Sequence, residues 1–278
     1  MEYIDELRDK IKNNSNLSEE FKCNLGTLTD TIVTVLPEYD YSNLSNVLSN
    51  LDIVMDNELE SYSKYDKNNN VIKLNINKIF NDRIDLQHLM LNELLLRSST
   101  LDNEALEGFN IGLTEAISST MNTDESMVKL NPLEYTLTSL FSKVVDGKIL
   151  MNNYFNGDIS NIAFELESKG INNEDFVGLL SDFNKVRTND SSFVDAELLL
   201  IEMYQKKVGF ELKNNNITYD DISNKFDDFS ELLIQKRSEL ISIYPHYDFS
   251  NLNGFEKVNE TLTNAVVKVE EKEEEKTK

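Results

Sequence analysis

At 278 residues with 40% hydrophobic content, the chain can bury a sizeable core, as one large domain or two small ones. Its 50 acidic against 27 basic side chains leave a formal charge of -23, a field that repels phosphate backbones and anionic lipid and so argues against nucleic-acid or membrane-surface partners. One cysteine, Cys23, permits neither an internal disulfide nor a cysteine-cluster metal site.

The opening stretch, MEYIDELRDKIKNN, is acidic and amphipathic and lacks the basic-then-apolar layout of a secretory signal. No apolar run approaches the roughly 18 residues needed to cross a bilayer, so a cytoplasmic location is expected. With only 3 prolines and 9 glycines, long helices are the expected default.

Residues 3–12 read as a first helix. A second starts after Ser18, whose hydroxyl caps an acidic first turn, and runs to Pro37. A third is predicted over about 42–60, where Leu44, Val47, Leu48, Leu51, Val54 and Met55 recur at helical spacing. The texture then changes. A polar turn, Asp66 to Asn70, precedes strict alternation of Ile72, Leu74 and Ile76 with Lys73, Asn75 and Asn77, the pattern of a strand and of the second arm of a hairpin. From Asp85 to Ser99 the chain is apolar almost all round, as a buried helix is. A helix is predicted to start after Asn110 in GFNIGLTEAISSTM, and another at Pro132, up to Gly147. Asp158 is read as the cap of a helix that Gly170 closes, and further helices are predicted over about 173–187, 192–212, 219–243 and 250–266. The last residues, from Lys268, are nearly all charged and read as a solvated tail. This organisation suggests a helical layer at 1–57, a core at 58–170, a C-terminal helical region at 171–266 and the tail at 267–278.

One constellation carries chemical information. A gluzincin-type zinc peptidase needs two His one helical turn apart, a Glu beside the first to take a proton from metal-bound water, and a later Glu as third ligand, spelled H-E-x-x-H and then N-E-G-x-T-E. Here the chain has Asn92-Glu93-Leu94-Leu95-Leu96, then Ser98-Ser99, then Gly108-Phe109-Asn110-Ile111-Gly112-Leu113-Thr114-Glu115. Over roughly residues 60–170 the sequence resembles the minimal gluzincin-like metallopeptidases of low-GC bacteria, in which a strand precedes the first motif. The resemblance implies that Asn92 and Leu96 stand in the places of the two ligand His, and Ile111 in that of the third ligand. It implies that Glu93 keeps the general-base position and that Asn110, Gly112, Thr114 and Glu115 keep the frame of the second motif. Leu and Ile offer no lone pair, so no metal and no cofactor is expected.

Each of these residues also has a plainer reading. His88 lies one turn before Asn92, but one His and an Asn make a poor zinc site, and a polar contact near the helix start accounts for it. Glu93 can pair with Arg97 at i, i+4, worth about 0.3–0.5 kcal/mol if exposed. Glu115 can bond across to the buried helix, His246 reads as an interhelical loop residue, and Cys23 as a small buried hydrophobe. No phosphate-binding glycine loop and no nucleophile elbow is present.

The expected fold is therefore mainly α with a small β-hairpin or sheet, a degenerate zincin-like core extended by C-terminal helices. The expected function is a non-catalytic pseudo-metallopeptidase that binds a protein or peptide, with no catalytic residue beyond the remnant position Glu93. Two alternatives stand beside it: a divergent metal-dependent hydrolase using Glu93 with His88, and an all-helical interaction protein unrelated to peptidases.

Overall fold

A computed structural model describes residues 2–101, 103–121, 128–157, 159–214, 216–218, 220–243, 257–265 and 268. The chain is mainly helical, with one three-stranded mixed sheet among the described residues. It divides into two compact units, Met1–Leu101 with Thr114–Leu130 and Tyr154–Gly157, and Asp102–Leu113 with Asn131–Asn153 and Asp158–Lys278. No helix among the described residues is long and apolar enough to cross a membrane.

In the first unit, α1 (Glu2–Asn13) packs on α2 (Glu19–Val35) and α3 (Ser42–Leu48). Ser18 caps α2 as expected, its hydroxyl accepting from the Phe21 amide at 3.3 Å. Both α2 and α3 pack on α5 (Leu86–Ser98), where His88 to Leu95 and Ser98 are all buried. Leu7, Leu25, Ile32, Leu44, Leu94 and Leu95 form the dry interior. Cys23 is exposed on α2, against the buried position expected of it; in this helix Leu25, Thr29, Ile32 and Val33 form the buried set.

The predicted helix over 42–60 ends at Leu48, and β1 (Asp52–Met55) follows. The reason is non-local. The Asn14 amide donates to the carbonyls of Leu48 and Leu51, both at 2.9 Å, and Asn70 donates to the Val47 carbonyl at 2.8 Å, so side chains from elsewhere take the acceptors that would continue the helix. Ile53 and Val54 are β-branched and suit the strand that results. β2 (Ser63–Asp66) and β3 (Val71–Leu74) form the predicted hairpin, Ser63 opposite Leu74, with Asn70 left-handed at φ 54 in the turn. β1 runs parallel to β3, giving the order β1-β3-β2 with β1 and β2 as edges. Ile76 does not continue the alternation. Asn75 caps α4 (Ile76–Asn81), accepting from the Lys78 amide at 2.9 Å, while its own amide donates to the Leu59 carbonyl at 2.8 Å.

In the second unit, α6 (Glu107–Met121, of which residues to Leu113 belong here) starts earlier than predicted, behind a 3-10 turn at Glu104–Leu106. Asn103 caps that turn, accepting from the Ala105 amide at 3.0 Å, and Asn184 braces the start of α6 from a distance, accepting from the Gly108 amide at 2.7 Å and donating to the Glu104 carbonyl at 3.0 Å. Helix α7 (Pro132–Phe141) ends before Gly147, which opens α8 (Gly147–Asn156) instead of closing α7. Then come α9 (Ser160–Ser168), which ends before Gly170 at φ 74, α10 (Asn173–Phe183), α11 (Asp190–Lys213) and α12 (Asp221–Ile243), near the bounds the sequence suggests. Residues 257–265 are helical. His246, the predicted cap Asp158 and the tail beyond Lys268 lie outside the described residues. α7 packs against α11 and α12, and α10 against α9 and α11.

Candidate functional site

Helix α5 buries four polar side chains, His88, Asn92, Glu93 and Ser98, among apolar ones, with Arg97 half-buried. Asp85 starts it, its carboxylate accepting from the Gln87 amide at 2.8 Å. One turn in, His88 Nε2 lies 3.0 Å from Glu115 Oε1, both side chains buried. An ionised carboxylate only accepts, so against one Nε2 is the donating nitrogen of the ring. The Asn92 amide nitrogen, 3.3 Å from that same atom, finds its acceptors in the His88 carbonyl at 3.2 Å and the Ser118 hydroxyl at 3.1 Å. Glu115 also accepts from the Leu130 amide at 3.3 Å. Both plain readings are met here: His88 makes a polar contact near the helix start, and Glu115 bonds across to the buried helix.

Glu93 faces the sheet. Ser63 of β2 donates to Glu93 Oε1 at 2.6 Å, and Arg97 Nη2 stands 3.9 Å from Oε2. The Arg97 guanidinium lies over the Tyr65 ring, 4.1 Å from its centroid. Ser63 and Tyr65 are two apart in β2 and so share one face of the strand, which is how a single edge strand engages both ends of the Glu93–Arg97 pair. His88 Nδ1, Asn92 Oδ1, Glu93 Oε2 and Arg97 Nε are buried without a hydrogen-bond partner among the described residues.

Of the remaining motif positions, Leu96 is half-buried on α5. Thr114 is fully buried, its hydroxyl 2.7 Å from the phenolic oxygen of Tyr154. The Tyr154 carbonyl in turn accepts from the Thr100 amide at 2.9 Å and from the Ser99 hydroxyl at 3.3 Å, which anchors the segment after α5. Burial raises the Tyr154 phenol well above its ordinary range, and the Thr114 hydrogen bond offsets only part of that.

Asn110, Ile111 and Gly112 lie in the second unit's part of α6, where Asn110 and Gly112 are buried and Ile111 half-buried. Gly112 has a packing role: a Cβ there would stand 2.7 Å from the Glu134 carbonyl oxygen and closer still to the Thr138 hydroxyl. Gly108, one turn earlier, meets the end of α10 the same way, with a Cβ 2.5 Å from the Phe183 carbonyl carbon. The two glycines thus make a smooth stripe on which α7 and α10 seat.

The donor set does not suit zinc. Leu96 has no donor atom and an Asn amide is a poor zinc ligand, and among the described residues no three His, Cys, Asp or Glu side chains gather as a metal site. Sequence reading missed Ser63, Ser118 and Asn184. All three act across 26 or more residues, and no local pattern marks them. No protein-family model matches the chain, and no curated protein and no solved structure matches it.

Proposed function

We propose that this protein is a non-catalytic, metallopeptidase-like scaffold that works as a protein- or peptide-binding module. The observation that carries the reading is the fate of Glu93, which keeps the position of a general base. Its carboxylate is buried, takes a hydrogen bond from Ser63 and stands beside Arg97, so it is held by the fold and not offered to a substrate. Asn92, in the place of the first ligand, turns its amide hydrogens to the Ser118 hydroxyl and the His88 carbonyl. Helix α5 retains its position just after the hairpin and α4, and the polar remnants have become ties between it, β2 and α6.

Two measurements test this. Elemental analysis of the purified chain is expected to find no zinc, and Glu93→Gln to leave any peptide hydrolysis at background. One equivalent of zinc per chain, with peptidase activity that Glu93→Gln abolishes, sinks the proposal and favours the metal-dependent hydrolase.

A further inference from the structure

We infer that the groove at the C-terminal end of α4 is a docking site for a partner segment that presents an apolar side chain beside a carboxylate. The inference does not depend on the ancestry of α5. The groove, about 620 Å³, is lined by Ile76, Ile79, Phe80, Arg83, Ile84 and Leu86, so one cation stands in an otherwise apolar lining. Phe80 is 83% exposed, and it adjoins the other apolar side chains of the lining, which distinguishes it from a scattered surface aromatic.

The backbone adds a second, independent observation. Helix α4 closes with the Ile84 amide bonded to the Ile79 carbonyl at 2.9 Å and the Arg83 amide to the Phe80 carbonyl at 3.3 Å, a helix-ending motif whose left-handed residue is usually glycine. Arg83 occupies that place at φ 55. A long cationic side chain is thus held where the backbone disfavours any side chain.

Within the fold the Arg83 guanidinium repays nothing: it makes no hydrogen bond or ion pair among the described residues. The acids beside it are engaged, Asp82 accepting from the Tyr62 hydroxyl at 3.0 Å and Asp85 capping α5. Lys78 stands over the Tyr62 ring, 5.3 Å from its centroid. An exposed, unpaired guanidinium at an apolar groove is complementary to a carboxylate carried on an apolar segment. A polyphosphate strand, charged at every unit where such a segment carries one carboxylate, is disfavoured by the chain's charge of -23.

The test selects peptides from a random phage library on the full chain and then measures one fluorescein-labelled member of the enriched set by anisotropy. Enriched peptides are expected to place Asp or Glu beside an aromatic or aliphatic residue. Arg83→Gly is expected to raise the thermal midpoint, since glycine meets the left-handed backbone without strain, and yet to weaken the labelled peptide roughly tenfold, the worth of one charge-assisted hydrogen bond. Phe80→Ser is expected to weaken it on the order of tenfold through lost apolar contact. No enrichment, enriched peptides without a carboxylate, binding that survives both substitutions, or a lowered midpoint in Arg83→Gly each overturns the proposal. So does concentration-dependent self-association abolished by Phe80→Ser, which assigns the groove to a second copy.

Discussion

Replacing Gly112 by alanine separates two explanations of one residue, a remnant of a catalytic motif and a packing contact. In a helix interior the change by itself stabilises by about 0.8–1.0 kcal/mol, because glycine is the poorer helix former. At Gly112 the new methyl would stand 2.7 Å from the carbonyl oxygen of Glu134, a backbone atom that cannot rotate away as the Thr138 hydroxyl can. Ordinary contact needs more than about 3.4 Å, so α6 and α7 have to part by several tenths of an ångström, and overpacking of that kind costs roughly 1–3 kcal/mol. The net expectation is destabilisation by up to about 2 kcal/mol. Gly209 serves as the control: it too lies in a helix interior, in α11 of the same unit, but a Cβ there meets nothing within 4 Å. Gly209→Ala is expected to stabilise by about 0.5–1 kcal/mol. Urea unfolding of the two variants beside the parent chain reads both effects. Stabilisation by Gly112→Ala, or equal shifts in the two variants, refutes the close approach.

Two further predictions concern buried ionisable groups in the second unit. Glu197 and Arg237 form a bidentate pair, 2.9 and 2.5 Å, in which burial pushes the carboxyl up while the guanidinium pulls it down, leaving it above its ordinary range. Arg237→Met strands that carboxylate and is expected to cost about 3–5 kcal/mol, most of which the double variant with Glu197→Leu recovers; chemical denaturation of single and double variants checks this. Burial, with repulsion from Glu211 and Asp228, pushes the Tyr204 phenol up to about 12. The unfolded chain then sheds this proton near pH 10 while the folded chain keeps it, so stability falls as pH rises from 10 toward about 12. Tyr204→Phe, which also loses the 3.0 Å bond to the Lys225 carbonyl, is expected to flatten that slope in unfolding midpoints measured across the range.

Where local chemistry is strong, the sequence announces the structure. The Ser18 cap, the Asp66–Asn70 turn and the almost wholly apolar stretch from Leu86 to Ser98 each predict an element that forms within a residue or two. The failures share a cause. At residues 42–60 helical spacing persists, but Asn14 and Asn70 capture the carbonyls of Val47, Leu48 and Leu51. At Ile76 alternation persists, but Asn75 has already capped α4. Cys23 lies two residues from both Phe21 and Leu25 in sequence but on the exposed face in space, because the helix turns 100° between residues.

The candidate site divides the same way. Residue types alone decide that positions 96 and 111, a leucine and an isoleucine, cannot ligate a metal, and that Glu93 and Arg97 share one helical face. Only tertiary structure decides what holds Glu93, which is Ser63, 30 residues earlier on an edge strand, and what holds Asn92, which is Ser118. The physical reason is range. Helix periodicity, caps and turns act over about four residues and are written consecutively in the chain. A buried polar atom takes whatever partner packing brings within about 3 Å, and nothing in its local sequence specifies which residue that is.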